Sequence, residues 1–499
     1  MSAMAGSAKI CIVLGILVLS GCAAGPALHT PAADVKAYTA GPLAEKTEAT
    51  AVAGGAAQKF NMGEDVPAQW WTLFKSEELD RIIRDALAQN PNLAAAQATL
   101  REARENYNAS AGSEYFPDVS AALSSSRKKS SPAAAGLPAG SKGSVFDLHN
   151  ASVDVAYTFD VFGKGRQELD GLRAQVDYQQ YQFEAAYLAL TANIVTTVIR
   201  EASLREQLAA LSDIVASQEK HLSMLDQQMA LGGVARPEVL AQRAQLEQTR
   251  AALPPVEKEL SQVRHQLMVL TGKFPADEAT VKGFSLAAIS LPEDLPVTLP
   301  SRLVRQRPDI RAAEALLKAA SARVGVATAD LYPQITLSGS YGSQAGRMAG
   351  LFDANSTVWN IGAGIVQPIF NGGRLRAQRR ASLAAFDAAR AQFRQVVLAA
   401  YANVADALRA LETDARALKA QADAQAAAAA SLDMTQKQLA AGAVNYALLL
   451  DAERQYQQAR IALVQARAAR LSDTAALFQA LGGGWWNRDH RVSVEQSKE

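Results

Sequence analysis

Among the side chains that most often do chemistry, this chain of 499 residues holds two cysteines and five histidines. His29, His149, His221, His265 and His490 fall at no metal-ligand spacing, and no Ser-His-acid arrangement is evident. No glycine-rich loop is placed to cradle a phosphate. The chemistry that the residue types do support is at a thiol. Cys22 closes "LSGC" (19–22), directly after the apolar run "ICIVLGILVLS" (10–20), which Lys9 precedes. That run is too short to span a bilayer and fits the core of an export signal. Cys11 leaves with the signal, so Cys22 has no disulfide partner and needs another use. The remaining charged clusters read blandly. Asp451, in "LLLDAE", is an acid near a helix N-terminus, favourable with the macrodipole. "RQRPDIR" (305–311) reads as ion pairs around Pro308, a helix start.

"LSGC" resembles a bacterial lipobox. Residues 1–21 are then a lipoprotein signal peptide, and cleavage leaves Cys22 to carry a thioether-linked lipid; no metal or other cofactor is expected. Ala23 stands where an Asp often retains lipoproteins in the inner membrane, which points to the outer membrane. The Ala/Pro/Gly-rich stretch that follows makes 22–60 a lipidated, flexible tether. Lys and Arg number 50 against 49 Asp and Glu, which gives no case for nucleic acid. No run of about 20 apolar residues follows the signal, so a membrane crossing would need a β-barrel.

Behind these residues stands a duplication. "LAQNPNLAAAQATLREA" (87–103) matches "VRQRPDIRAAEALLKAA" (304–320), and "EYFPDVSAALS" (114–124) matches "DLYPQITLSGS" (330–340). Gly165-Arg166 then matches Gly373-Arg374, and "MALGGVARPEVLAQR" (229–243) matches "LAAGAVNYALLLDAE" (439–453), with Gly233 and Gly442 taken as the shared turn glycines. Each half reads helix, strand, loop, strand, long helix, turn, helix. The repeats span 61–272 and 300–482, with a linker at 273–299 and a C-terminal tail at 483–499.

The strands alternate. Val153, Val155, Tyr157, Phe159 and Val161 point one way, and Ser152, Asp154, Ala156, Thr158 and Asp160 the other, which places Asp154 and Asp160 on a wet face. Ile335, Leu337 and Tyr341 repeat the pattern in the second half, as do Trp359, Ile361, Ala363 and Ile365. Such strands suit a barrel around water, although a soluble sandwich alternates too; the export signal favours the barrel. Four strands cannot close a barrel, so the chain must oligomerise to cover its edges. The helices are long: 166–231 would extend roughly 100 Å at ~1.5 Å per residue. Leu204, Leu208, Leu211, Val215, Leu222, Leu225 and Met229 keep a heptad, with Gln218 in one slot. Val239, Leu246, Leu253, Leu260 and Leu267 recur every seven, and Pro254-Pro255 predicts a break between them. Helices at 375–441 and 446–481 form the second hairpin.

These segments resemble the TolC-like outer-membrane factors, particularly their lipidated drug-efflux branch. "PSRLVRQRPDIRAAEALLKAA" (300–320), "LYPQITLSGSYG" (331–342), "QPIFNGGRLRAQ" (367–378) and "LAAGAVNYALLLDAE" (439–453) carry the likeness, which spans about 60–482. Arg302 departs from it, where an acid is frequent. The resemblance implies a mixed α and β membrane protein: a homotrimeric, twelve-stranded transmembrane β-barrel with four strands per chain. This continues into a twelve-helix periplasmic α-barrel with an equatorial belt, where Trp485 and Trp486 could pack. It implies an outer-membrane exit duct for small molecules, working with a periplasmic adaptor and a proton-driven inner-membrane transporter. The tips at Gly233 and Gly442 would dock the adaptor, and three copies of Asp451 would ring the closed entrance, bind cations and constrict it. In the first half Val239, beside Glu238, is taken as the counterpart of Asp451. Phe162, Gly165, Pro368, Phe370 and Gly373 would make the joints where barrel passes into helix, the aromatics at the interface and the glycines bending the chain. Two other readings stay open: a duct for type I protein secretion, and a non-conducting coiled-coil adaptor or structural lipoprotein.

Overall fold

The computed structural model describes residues 37–131, 136, 138, 142–280 and 282–488. The signal at 1–21, Cys22, and residues 489–499 lie outside the described residues. The chain forms two compact units, each built from both repeats.

The first unit comprises Thr99–Gln179 and Ala313–Phe393. Its centre is an antiparallel sheet of β2 (Asp118–Lys129), β3 (Val145–Phe159), β5 (Gln334–Ala345) and β6 (Thr357–Val366), in the order β2-β3-β5-β6. The register gives whole rows of one character. Ala121, Val153, Tyr341 and Trp359 stand side by side across the four strands, and Val119, Val155, Gly339 and Ile361 form the second row beyond. The row between them is Ser120, Asp154, Ser340 and Asn360. Side chains alternate faces along a strand, so one face is apolar and the other polar. The apolar face is bare: Trp359 is 71% exposed, Ile361 75% and Ile365 71%. Among the described residues, strands β2 and β6 each pair on one side only.

The second unit comprises residues 37–98, Gln180–Ala312 and 394–488. Its core is aromatic. Trp70, Trp71, Phe74 and Phe478 are almost fully buried, with Trp70 and Phe478 ring centroids 5.5 Å apart. A short parallel pair, β1 (Lys59–Met62) with β4 (Asp294–Val297), lies in this unit. Two short helices, α1 (Glu77–Gln89) and α6 (Pro300–Gln306), precede α2 (Pro91–Tyr115) and α7 (Pro308–Ala329). Ser76 caps α1, and prolines open α2, α6 and α7.

The long helices match the sequence reading closely. They are α3 (Lys164–Ala230), α4 (Arg236–Ala251), α5 (Leu253–Leu270), α8 (Arg374–Ala440) and α9 (Tyr446–Ala480). The interruption between α4 and α5 falls at Ala252, and Pro254-Pro255 occupy the first turn of α5, where missing N–H groups cost nothing. Along α3 the buried stripe runs Leu204, Leu211, Ile214, Gln218 and Leu225, so Ile214 takes the slot expected for Val215. Among the described residues no helix is long and apolar enough to cross a membrane.

The tether needs correction. Residues 37–58 are packed, not free, because they carry polar groups that a buried arginine requires. Arg470 is fully buried and donates to Thr47 Oγ1 (2.9 Å), the Ala56 carbonyl (2.7 Å) and the Gly54 carbonyl (3.1 Å). Gln58 adds an acceptor to Arg470 and donates to Thr474 and to the Pro292 carbonyl. A buried guanidinium is tolerated only when its donors are matched, and these residues match them.

Candidate functional site

The two hairpin turns are copies. In the first, the Gly232 N–H bonds the Met229 carbonyl (3.0 Å) and the Gly233 N–H bonds the Gln228 carbonyl (2.8 Å). In the second, Gly442 bonds Leu439 (2.9 Å) and Ala443 bonds Gln438 (2.9 Å). The counterpart of Gly442 is therefore Gly232, not Gly233. Gly232 and Gly442 have φ of +78° and +70°, the left-handed region that disfavours a Cβ, whereas Gly233 does not and is matched by an alanine. The same count puts Ala241, not Val239, opposite Asp451. Val239 is buried in the tip core with Leu225, Tyr446 and Leu449.

Asp451 lies in the second turn of α9, which Asn445 caps by accepting from the Leu448 N–H. Its side chain is 42% exposed and is paired on its own helix: Arg454 meets Oδ1, and Gln455 Nε2 donates to Oδ2 at 2.7 Å. The carboxylate is thus accessible, with its charge partly offset by Arg454. Close by, Tyr446 is buried, and its hydroxyl has no hydrogen-bond partner among the described residues. Burial, then the charges of Glu453 and Glu238, push that hydroxyl's pKa up.

The joints divide their labour differently from the sequence reading. The bend before α3 is at Gly163 (φ +78°), one residue ahead of the helix. Gly165 is inside the first turn, and its role is room: a Cβ there would run into the Glu114 carboxylate. In the second joint the bend does include Gly373 (φ +81°), together with Gly372 (φ +61°). Asp160 lies just past the end of β3 and does not belong to the wet strand face. Its Oδ2 accepts from the Arg166 N–H (3.0 Å), capping α3. Asp154 does stay in the ladder, where it accepts from the Ser152 hydroxyl (2.9 Å). Phe162 stacks on Tyr332 at 5.0 Å, while Ile369 and Phe370 stand 94% and 91% exposed beside Pro368, two residues after β6 ends.

Of the "RQRPDIR" charges, Arg307, Asp309 and Arg311 are structural, and Arg305 is exposed. Arg307 grips Asp309 (2.7 Å) and donates to the Ala480 carbonyl (2.7 Å), Arg311 donates to the Tyr181 hydroxyl (2.9 Å), and Arg302 reaches Asp65 at 3.7 Å. The Trp485 indole donates to the Gln306 carbonyl (2.6 Å), so that end of the chain packs in the second unit.

The model for the family described as "Outer membrane efflux protein" matches residues 82–273 and 299–483. The chain belongs to the outer membrane efflux protein family. It is 32% identical over 424 residues to the pyoverdine export outer membrane protein OpmQ of Pseudomonas aeruginosa, covering 84% of this chain and 87% of that one. It is 29% identical to outer membrane protein OprJ of the same species, covering 94% of each. The solved outer-membrane channel OprN superposes with a TM-score of 0.83 at 28% identity, over 93% of this chain and all of that one. The CmeC outer membrane channel of Campylobacter jejuni reaches 0.86 at 22% identity, over 95% and 98%, a likeness of fold.

Two groupings escaped the sequence reading. One is the Arg470 cluster, which Thr47 and Gln58 complete from more than four hundred residues away in sequence. The other is His221 with Glu453, whose Nδ1 and Oε1 are 2.7 Å apart. A lone histidine beside the heptad stripe gives no local sign of its partner. The polar residue in the Gln218 slot was the available hint.

Proposed function

We propose that this chain is the outer-membrane exit duct of a tripartite efflux system, passing small molecules passively from periplasm to exterior. Three chains of four strands each make a twelve-stranded barrel, with a twelve-helix α-barrel on the periplasmic side. The observation that carries the reading is the sheet: polar and apolar rows alternate across all four strands, the apolar face is bare, and both edge strands lack an outer partner among the described residues. In water each feature is a liability; in a lipid-embedded oligomeric barrel each is satisfied. Cys22 carries the lipid. Beyond the tips at Gly232 and Gly442 an adaptor docks, and behind it a proton-driven inner-membrane transporter selects the cargo. Three Asp451 carboxylates ring the entrance and favour cations.

Full-length protein purified from outer membranes and inserted into planar bilayers tests this. Trimers by native mass spectrometry, with cation-selective conductance, are expected. A monomer, or a trimer without conductance, would overturn the duct and favour a structural lipoprotein. The Asp451→Ala channel should lose most of its cation preference and conduct roughly severalfold more; unchanged selectivity would remove Asp451 from the gate.

A further inference from the structure

Helices α3 and α9 run antiparallel in the second unit and are tied by ion pairs at coiled-coil spacing. Glu206 meets Arg467 at 2.7 Å, and seven residues on along both helices Asp213 meets Arg460 at 2.7 Å. The next tie toward the tips is His221 to Glu453, seven residues beyond Arg460 on α9 and eight beyond Asp213 on α3. Here the polarity reverses and the cation is an imidazole. Arginine stays charged at every physiological pH, so the first two ties are permanent. An imidazole ordinarily changes charge between about pH 5 and 8.

The third tie is also the most enclosed. The Glu453 side chain is 6% exposed and that of His221 18%. Glu453 Oε2, both amide atoms of Gln218 and Oε1 of Gln242 are buried with no hydrogen-bond partner among the described residues. Gln218 and Glu453 line a cleft of about 200 Å³ with Asp213, Leu432, Tyr456 and Arg460. A carboxylate so placed is costly beside a neutral imidazole and well matched by an imidazolium.

We propose that His221 and Glu453 form a proton-operated tie: a proton on His221 clamps the tip half of α9 to α3, and its loss loosens that half while the two arginine ties hold. The other charged or titratable groups around it are mostly committed. On α3, Glu219 is held by Arg250 of α4 at 2.6 Å, and Lys220 is exposed. Glu238 of α4 faces Tyr446. On α9, Asp451 pairs with Arg454 and Arg460 with Asp213; on α8, Asp433 pairs with Lys437 at 2.6 Å on the exposed side. Asp451 lies in the same tip segment of α9 as Glu453, and any link from the tie to the entrance rests on the gate reading above.

Hydrogen exchange of the α9 tip, residues 446–456, tests the tie without using conductance. Wild type, His221→Gln and His221→Arg, all as full-length trimers, are compared at the same acidic and the same alkaline pH. Exchange in wild type should match H221R when acidic and approach H221Q when alkaline, a span of about tenfold in rate for a charge-assisted bond in a buried site. Glu453→Gln should exchange as H221Q does at both pH values. If wild type tracks H221Q at both, or if H221R is no slower than H221Q, the proposal is overturned. Conductance on the same proteins separates the two readings. A pH-dependent tip with pH-independent current keeps the tie and removes its link to the gate.

Discussion

The two helical hairpins have the same turn, hydrogen bond for hydrogen bond, yet the residues behind the turns differ in kind. Counting back from the matched glycines Gly232 and Gly442, Asp451 stands where the first hairpin has Ala241, and Glu453 where it has Arg243. Further along, Asp414 and Asp473 occupy the places of Leu204 and Val263, both buried apolar residues in the first copy. The backbone needs of a coiled-coil hairpin are met equally by either set. Acidic residues at these places in the second hairpin are therefore not demanded by the turn or the heptad. They distinguish the second copy from the first by charge rather than by fold.

The largest break in this comparison should come from the glycines, where the copies ought to behave alike. Gly232→Val and Gly442→Val each force a β-branched residue into positive φ, costing about 2 kcal/mol. Thermal unfolding followed by circular dichroism should show similar losses for both; a loss at one tip only would mean the turns are not equivalent. A smaller effect belongs to the second copy alone. Burial, with the hydrogen bond and charge of Asp473, raises the Asp414 pKa to about 7, against the lowering pull of Arg470. The folded state thus holds this proton more tightly than the unfolded chain. Its contribution is present at acidic pH and fades as pH rises from the ordinary carboxylate range to about 7. Asp414 is only partly buried, so solvent screening leaves the effect at about 1 kcal/mol. Asp414→Asn should flatten that pH dependence; an unaltered stability profile across acidic to neutral pH would contradict it. The smallest effect is expected at Gly233→Ala, within about 0.5 kcal/mol of wild type, because Ala443 already occupies the equivalent place. A large loss there would restore Gly233 as the turn glycine.

Periodicity made the elements legible. The seven-residue recurrence of Val239, Leu246 and Leu267 and the two-residue alternation through Val153 and Val155 are local properties, and helix or strand follows from which residues must share a face. Duplication added the order of elements, since a repeated landmark such as Pro117 and Pro333 is visible without any fold. The joints were only half legible. "GKGR" and "NGGR" advertise glycine, but conformational freedom and room for a neighbour use the same letter. Gly163 supplies the bend and Gly165 the space for Glu114, a side chain more than forty residues earlier.

Sequence alone determined what each segment had to be: two sets of alternating strands and two long heptad hairpins. These depend on neighbours along the chain, whose spacing is set by the rise and turn of each element. The tertiary structure decided which distant polar groups meet. Arg470 is acceptable only with Thr47 and the Gly54 and Ala56 carbonyls around it, and Glu453 only with His221 across the seam. Buried charge has no periodicity to betray it; its partner is fixed by packing, and packing brings together residues that sequence keeps hundreds of positions apart.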